Sequence, residues 1–484
     1  MDKSIREKYT AVIGLEVHAQ LQTNTKIYNS DSTDFGDLPN TNVGIITLGH
    51  PGTLPKLNKK VIEYAIKMGL ACKSEISRDM IFDRKNYFYP DLPKGYQITQ
   101  DRTPICVGGQ VLVSPKNAPE REISLNRIHI EEDAGKSIHL ASEADTLVDF
   151  NRAGVPLIEI VTEPDIHTSA EAHAFLFEVR RLVRYLEICD GDMEKGSLRC
   201  DANISVMPKD SKTLGKKVEV KNMNSMRNVQ RAIDHEIERQ IKYIEEGGQV
   251  ISETRTFDAN TGTTAGMRTK EELNDYRYFP DPDLSPVKVS EEWLREIEAS
   301  MPTLPRELSS KFVSHYQIPA YDAEVLTESK EVAQYFEQIC ANTTNYKAAS
   351  NWVMGPVKSY LNENGLDIST FPLNPELITE LISMVDNNQL SFSVAANRVF
   401  PALLKTNRES ALQVATSLNL LQENDSQALN DVIDKVLNAN PEKVKAYKHG
   451  KKALLGMFMG EIMKESKGKA DPKMAKQLLQ QKLN

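Results

Sequence analysis

The sequence of 484 residues predicts an α+β protein in which a β-rich N-terminal part precedes helices. Between about residues 10 and 290, apolar and polar positions alternate with a period of two between turn-rich breaks, which is typical of β-sheet with inserted helices. From about residue 291 onward the apolar spacing is helical. At roughly 100–200 residues per domain, this length corresponds to about three folded units.

Two predicted strands carry rows of polar side chains on one face. In the strand that begins at Ile13 the apolar residues face one way, and the other face carries Glu16, His18, Gln20 and Gln22. In residues 197–206 the equivalent face carries Ser197, Arg199, Asp201, Asn203 and Ser205. Each strand therefore presents a carboxylate beside basic or amide groups.

Three more segments place charged residues at alternate positions of a strand. They contribute Arg127, His129 and Glu131, then Glu159 and Glu163, and finally Glu219 and Lys221. An acidic turn at 131–133 follows the first of them. A solvated sheet face tolerates Lys, Glu, Thr and Gln almost at random, whereas these rows are rich in short carboxylates, Arg, Asn and His.

Clustered carboxylates with Arg and Lys are typical of a Mg²⁺-nucleotide site, because the cation takes oxygen ligands and the basic side chains offset phosphate charge. A merely solvated face is the alternative that composition leaves open. The chain has no Gly-x-x-x-x-Gly-Lys-Ser/Thr loop and no Gly-x-Gly-x-x-Gly fingerprint. An ordinary P-loop or Rossmann nucleotide site is therefore disfavoured.

Two loops, residues 83–97 and 275–283, interleave Tyr and Phe with Arg and Lys. This mixture suits the stacking of an unpaired base and contact with its phosphate. Aromatic and proline-rich loops also serve as structural lids packed on a core, and this alternative stays open.

The C-terminal part predicts short helices. Ser290 caps a helix with acidic residues in its first turn, and helical spacing recurs at 331–340, 375–385 and 431–437. A domain boundary is expected between about 400 and 415. Residues 441–484 contain eleven lysines and four acidic residues, so they carry +7 in a chain of net charge −9. This segment is either a solvated helical face or a surface for a phosphate backbone.

Cysteine usage and hydropathy indicate a soluble, cytoplasmic protein. The five scattered cysteines form no Cys-x-x-Cys pair; they are Cys72, Cys106, Cys189, Cys200 and Cys340. The N-terminus resembles neither a signal peptide nor a transit peptide. No apolar run approaches the roughly 18 residues that span a bilayer, so no membrane partner is expected.

Six motifs, taken in order, resemble the B-subunit family of the aspartyl/glutamyl-tRNA amidotransferase, a tRNA-dependent amidotransferase. They are IGLEVH at 13–18, DRKNYFYPDLPKGYQI at 83–98, HIEEDAGK at 129–136, GVPLIEIVTEPD at 154–165, GSLRCDANIS at 196–205 and DYRYFPDPD at 275–283. The resemblance spans essentially the whole chain.

The resemblance implies a β-rich cradle domain at 1–293, an all-α helical domain at 294–408 and a small all-α tail domain at 409–484. It also implies a ligase that forms carbon–nitrogen bonds with glutamine as amido donor (EC 6.3.5.-) and that amidates Glu-tRNA(Gln), Asp-tRNA(Asn) or both. In this family the B subunit uses ATP and Mg²⁺ to phosphorylate the side-chain carboxylate. The glutaminase A subunit supplies ammonia, and a small C subunit completes the heterotrimer.

Carried onto this sequence, the resemblance implies a metal site at Glu16, His18 and Glu131, which are also the candidate catalytic residues. Further candidate ligands are Glu132, Glu159, Asp201 and Glu219. From face and charge we infer phosphate contacts at Lys136, Arg152, Arg199 and Lys221. The tRNA end is expected to meet Tyr87, Tyr89, Lys94 and Tyr96, and the tRNA body to meet Lys448, Lys451, Lys452, Lys467 and Lys469.

One departure from the family concerns zinc, which some members hold with four cysteines near the N-terminus. The matching positions here are Asn29, Asp31, Gly44 and Thr47, so no zinc is expected. Two other functions remain as alternatives. The E-type subunit of the tRNA(Gln)-specific amidotransferase carries an inserted domain before the helices, for which this chain leaves no room. A non-catalytic tRNA-binding scaffold would have solvated strand faces.

Overall fold

The computed structural model describes residues 2–139, 145–269, 276–406, 410–421, 426–466, 470 and 472–483. The chain forms two compact units, Met1–Leu304 and Pro305–Asn484. The strands lie in the first unit, and the elements described in the second are helices. The predicted α+β class, with the β-rich part first, is confirmed. The finer division at residues 293 and 408 stays a prediction.

A large mixed sheet forms the centre of the first unit. The strands of the first unit are β1 Tyr9–Gln20, β2 Glu75–Ile76, β3 Asp79–Met80, β4 Asp83–Asn86, β5 Tyr96–Thr99, β6 Cys106–Val107, β7 Gln110–Val113, β8 Arg121–Glu132, β9 Lys136–His139, β10 Thr146–Asp149, β11 Pro156–Thr162, β12 Leu198–Pro208, β13 Val218–Lys221, β14 Glu253–Asp258, β15 Thr263–Thr269, β16 Phe279–Pro280 and β17 Val287–Lys288. The strand order of the large sheet is β15-β14-β13-β12-β1-β11-β8-β6-β2, and β7 pairs with β8 beside this path. The neighbours of β1 are both antiparallel to it.

The alternation predicted for β1 is confirmed, and it fixes the register of the sheet. Ile13, Leu15 and Val17 are at most 1% exposed. Glu16 and His18, at the alternate positions, are half-buried on the other face. Each buried apolar side chain of this size stabilises the fold by about 1.5–3 kcal/mol. A slip of one residue would turn all of them outward, so the polar face is strongly specified.

Helices cover the apolar face of this sheet. The helices of the first unit are α1 Lys3–Arg6, α2 Lys59–Ala71, α3 Ser169–Tyr185, α4 Met226–Glu245 and α5 Glu291–Ala299. Helix α3 packs on β1 and α4 packs on β12. The capping role predicted for Ser290 is confirmed, because its side chain accepts a 3.1 Å hydrogen bond from the Trp293 amide.

Small sheets hold the two aromatic loops together. β16 pairs with β4, which pairs with β5. Next to this ladder, the Asn86 amide donates to the Tyr276 carbonyl and the Asp281 amide donates to the Phe82 carbonyl. The two loops are therefore neighbours in the fold, although about 190 residues separate them in the sequence.

The second unit is built from short helices. They are α6 Pro305–His315, α7 Ala320–Leu326, α8 Lys330–Cys340, α9 Tyr346–Trp352, α10 Lys358–Asn364, α11 Pro375–Asp386, α12 Phe392–Val394, α13 Phe400–Thr406, α14 Ala411–Ser417, α15 Ser426–Ala439, α16 Pro441–Lys448, α17 Leu454–Glu465 and α18 Pro472–Leu483. Helices α8, α11 and α15 confirm the helical spacing predicted at 331–340, 375–385 and 431–437. A separate apolar cluster that includes Ile433, Phe458 and Leu479 forms the core of the last four helices.

Candidate functional site

The polar face of the central sheet brings residues of four strands into one row. His18 on β1 lies directly opposite Arg199 on β12 and, on its other side, opposite Glu159 on β11. Glu159 in turn lies opposite His129 on β8. Opposed residues of antiparallel strands point to the same face, so these four side chains are neighbours.

His18, Glu131 and Glu159 form the first candidate metal-binding group. Nε2 of His18 lies 3.5 Å from Oε1 of Glu131 and 3.4 Å from Oε2 of Glu159. One ligand atom of each residue lies within 4.8 Å of the other two. Glu131 is buried, whereas His18 and Glu159 are partly open to solvent. Carboxylate oxygens and an imidazole nitrogen at these separations can converge on one divalent cation.

The charges in this group stabilise each other. Burial lowers the pKa of His18, but the carboxylates of Glu159 and Glu131 outweigh it and raise that pKa to about 9. Burial raises the pKa of Glu159, but His129 and His18 hold it well below its usual range. Glu159 is therefore ionised at neutral pH, and its oxygens are available as ligands.

Glu16, Asp201 and Glu219 form the second candidate group, again with ligand atoms within 4.8 Å of one another. Nζ of Lys221 lies 2.5 Å from Asp201 and 2.9 Å from Glu219, so an ammonium already stands among these carboxylates. Asn203 donates a 2.8 Å hydrogen bond to Glu16. The predicted phosphate contact at Lys221 therefore has two carboxylate partners in this structure.

The pKa shifts in the second group follow from burial and from the close approach of several carboxylates. Burial and the charge of Glu159 raise the pKa of Glu16. Burial lowers the pKa of Lys221, but Asp201 and Glu219 reverse this effect and raise it. A cluster with more carboxylates than cations is the arrangement that gains most from an added divalent ion.

Asp133 organises two of the predicted phosphate contacts. Its Oδ2 accepts hydrogen bonds from Arg199 at 2.7 Å and from Gln20 at 2.8 Å, and Nε of Arg152 lies 3.6 Å away. Arg152 also donates to the carbonyls of Ala134 and of the following glycine. Lys136, at the start of β9, is exposed. The structure thus brings Arg199 and Arg152 to one carboxylate and leaves Lys136 on the surface.

Glu132 lies outside both candidate metal groups. It follows Glu131 on β8, and successive residues of a strand point to opposite faces. Both oxygens of Glu132 accept hydrogen bonds from Lys94, at 2.6 and 2.7 Å, and one also accepts from the Ile98 amide. Lys94, predicted to meet the tRNA end, is therefore largely buried against a carboxylate.

The aromatic loops enclose a lysine that sequence reasoning missed. Nζ of Lys85 lies 4.8 Å from the ring centre of Tyr276 and 5.8 Å from that of Tyr87. Burial lowers the pKa of Lys85, but electrostatic interactions, the largest with Glu131 and the next with Tyr278, raise this pKa above its ordinary value. The sequence offers one indication of this position: Lys85 and Tyr87 are two residues apart, so in a strand their side chains lie on the same face.

The four aromatic-loop residues predicted at the tRNA end differ in exposure. Tyr87 is partly buried and packs edge-on against Tyr276 at 5.9 Å, which joins it to the second aromatic loop. Tyr96 lies beneath Arg84, whose guanidinium carbon is 4.2 Å from the ring centre. Tyr89 is 59% exposed, so it is the member of this set that solvent reaches most freely.

The positions that match the zinc cysteines of some family members form a hydrogen-bonded cluster here. Oδ2 of Asp31 accepts hydrogen bonds from the Gly44 amide at 2.7 Å and from the Thr47 hydroxyl at 2.6 Å. Asn29 donates to the same hydroxyl and accepts from the Asp31 amide. A Cβ at Gly44 would lie 2.5 Å from Oδ1 of Asp31, so a larger residue there would displace this carboxylate.

The basic C-terminal segment exposes part of its charge. Lys448, Lys451 and Lys452, which we name the tail lysine group, are exposed at the end of α16 and in the turn after it. Lys452 also lies over the ring of Tyr447 at 4.4 Å. Lys467 and Lys469, predicted to bind the tRNA body, lie outside the described residues.

Most of the chain matches two family models, the GatB/GatE catalytic domain at residues 11–295 and the GatB domain at residues 334–483. The B subunit of the aspartyl/glutamyl-tRNA(Asn/Gln) amidotransferase from Caldanaerobacter subterraneus subsp. tengcongensis is 47% identical over 477 residues, which are 99% of this chain and 100% of that relative. The protein of the same name from Trichlorobacter lovleyi is 48% identical over 98% of this chain and 99% of that relative. The chain belongs to the amidotransferase B-subunit family.

This membership confirms the family resemblance that the six sequence motifs indicated. Both relatives are B subunits that align along nearly their whole length, which favours this assignment over the E-type subunit. The chain is one subunit of a multi-subunit amidotransferase. Among the described residues, none of the helices combines the length and apolar character needed to cross a bilayer.

Proposed function

We propose that the polar sheet face is the site where a side-chain carboxylate attached to tRNA is phosphorylated before amidation. The substrates are Glu on tRNA(Gln), Asp on tRNA(Asn), or both, and the phosphoryl donor is ATP with Mg²⁺. Ammonia from a glutaminase A subunit then displaces phosphate, and a small C subunit completes the heterotrimer. In this proposal residues 1–293 are the kinase domain and residues 409–484 the tRNA-binding tail.

The observation that carries the proposal is the convergence of His18, Glu131 and Glu159 from three strands. The carboxylate oxygens of Glu131 and Glu159 suit a hard divalent cation, whereas the His18 nitrogen can join them only after it loses its proton. The second group adds the carboxylates of Glu16 and Asp201 beside them. Bound there, Mg²⁺ supplies charge neutralisation and orientation for the transferred phosphate. The residues present therefore fit the cation that the family implies.

The basic residues around the two groups suit the phosphates of the nucleotide. Arg199 and Arg152 are held in place by Asp133, and each keeps 35% of its side chain exposed. A guanidinium fixed in this way can donate to phosphate oxygens without first being ordered. Lys221 and the exposed Lys136 supply further positive charge. Phosphoryl transfer needs such positioning and charge more than covalent chemistry from the protein.

The chemistry explains why a kinase step precedes amidation. Ammonia does not displace oxide from a carboxylate, whereas an acyl phosphate has a good leaving group and an electrophilic carbon. A partly buried site also limits the access of water to that intermediate. Lys85 and Tyr87 border the site on the side of the aromatic loops, where we place the incoming tRNA end.

The tail lysine group suits the body of the tRNA. Exposed lysines contact the phosphate backbone and supply affinity without reading bases. The net charge of the remaining chain is −16 once the +7 of residues 441–484 is set apart, so the basic surface is local. Lys467 and Lys469 belong to the same proposed surface by sequence.

The test replaces Glu131 or Glu159 by glutamine in the assembled complex and measures tRNA-dependent ATP hydrolysis. Each change keeps the size of the side chain and removes one charged ligand, so we expect a loss of at least 100-fold. Glu122→Gln is the matched control on β8, because Glu122 is exposed and pairs with Gln110. Wild-type hydrolysis in both site variants would favour the non-catalytic scaffold.

A further inference from the structure

His129 lies beside the first metal-binding group, on the same polar face of the sheet and directly opposite Glu159. It is 4% exposed, whereas 18% of the His18 side chain is accessible. Nε2 of His129 is 3.2 Å from Oε2 of Glu159 and 3.9 Å from Oε2 of Glu131. Both carboxylates therefore stand between two imidazoles, one open and one closed to solvent.

The two imidazoles approach these carboxylates differently. Glu131 turns Oε1 toward His18 and Oε2 toward His129. Glu159 offers Oε2 to both, at 3.4 Å from His18 and at 3.2 Å from His129. The shorter contact fixes Oε2 of Glu159 from the buried side. The His18 side of this carboxylate is the more accessible one, because 18% of the His18 side chain is exposed.

The other nitrogen of His129 shows that packing alone does not account for the residue. Nδ1 is buried and has no hydrogen-bond partner among the residues that the structure describes. An unpaired buried nitrogen is unfavourable, and an apolar side chain would avoid it. The backbone register sets His129 directly opposite Glu159, so only Nε2 makes a polar contact with the site.

We propose that His129 is a positioning residue, which donates its Nε2 hydrogen to Glu159 and thereby orients that carboxylate for the divalent cation. The inference rests on the proposed function of the His18, Glu131 and Glu159 group. A donor behind a ligand fixes its orientation, and loss of such a partner commonly weakens metal binding 10- to 100-fold. Because His129 is only 4% exposed, it acts through Glu159 and not by contact with the nucleotide.

The experiment measures Mn²⁺ affinity of the full-length chain in the assembled complex by electron paramagnetic resonance of free Mn²⁺. His129→Leu fills the space without a donor, His129→Gln restores an amide donor near the position of Nε2, and His129→Asn places its amide near Nδ1 instead. Glu159→Gln reports on the site itself. Thermal melting of each complex shows whether the first unit remains folded.

We expect His129→Leu and His129→Asn to weaken Mn²⁺ binding 10- to 100-fold, and His129→Gln to stay within about threefold of wild type. Wild-type affinity in His129→Leu overturns the inference, and so does equal weakening in His129→Gln and His129→Leu. If His129→Leu does not fold, the contrast between the Gln and Asn variants decides. Unchanged Mn²⁺ binding in Glu159→Gln would instead reject the proposed cation site.

Discussion

Asp133→Asn tests whether the arginines of the site depend on one buried carboxylate. Asp133 is 4% exposed and contacts Arg199, Arg152 and Gln20. Removal of one partner from a fully buried ion pair costs about 3–5 kcal/mol. Each arginine side chain is 35% exposed, so water recovers part of this loss. We therefore expect the first unit to lose about 2 kcal/mol.

The measurement must report on the first unit alone, because a chain with two compact units does not unfold in one step. Hydrogen exchange of peptides from β1 and β12 meets this need. A loss of about 2 kcal/mol corresponds to roughly 30-fold faster exchange through unfolding of the unit. Asp79→Asn is the control, since Asp79 is 72% exposed and faces Lys288 at 3.9 Å, where no measurable loss is expected.

The pH dependence gives a second check on Asp133. Burial raises the pKa of Asp133, but Arg199 and Arg152 outweigh it and lower the pKa below its ordinary value of 3.8. A lowered folded-state pKa contributes stability above the unfolded pKa and loses it as the pH falls through the folded one. The gap between wild type and variant should stay constant from about pH 8 to pH 5. Exchange in Asp133→Asn within twofold of wild type would refute the reasoning.

Three further predictions concern other parts of the chain. Lys221→Met removes the ammonium among three carboxylates, so the variant should melt at a lower temperature than wild type in chelator and gain more stability from added Mg²⁺; equal gains in both proteins would contradict this. Asp31→Ala removes the acceptor of two hydrogen bonds and should speed proteolysis of residues 29–47 by roughly tenfold, while a zinc chelator leaves the wild-type rate unchanged. Glutamine at all three positions of the tail lysine group should lower the salt slope of tRNA binding by about 2–3, and an unchanged slope would mean that these lysines are only solvated.

The sequence predicted the faces of the strands better than their neighbours. Alternation alone placed Glu16 and His18 on the same side of β1, because the period of a strand is two and one face is apolar. It did not reveal that β1 lies between β11 and β12, since strand order depends on contacts between segments about 140 to 190 residues apart. The convergence of Glu131 and Glu159 on His18 therefore appears only in the fold.

Three residues illustrate the same difference between strand faces and strand neighbours. Glu132 shares the chemistry of Glu131, but the alternation of β8 turns it to the other face, where Lys94 binds it. The sequence places His129 in register with Glu131, but its partner Glu159 follows only from the pairing of β8 and β11. Lys85 alternates with Tyr87 in the sequence, but the approach of Tyr276 and Glu131 to it depends on contacts between distant segments.

The pairing of charges within the site constrains how a nucleotide can bind. Arg199 and Arg152 are engaged with Asp133, and Lys221 is engaged with two carboxylates of the second group. We expect Lys221 to turn toward a phosphate only when those carboxylates gain another positive partner, because a partly buried cluster of like charges is unfavourable. In the proposed function, a divalent cation is that partner. Cation and nucleotide should therefore reinforce each other's binding, and by linkage the factor must be the same in both directions.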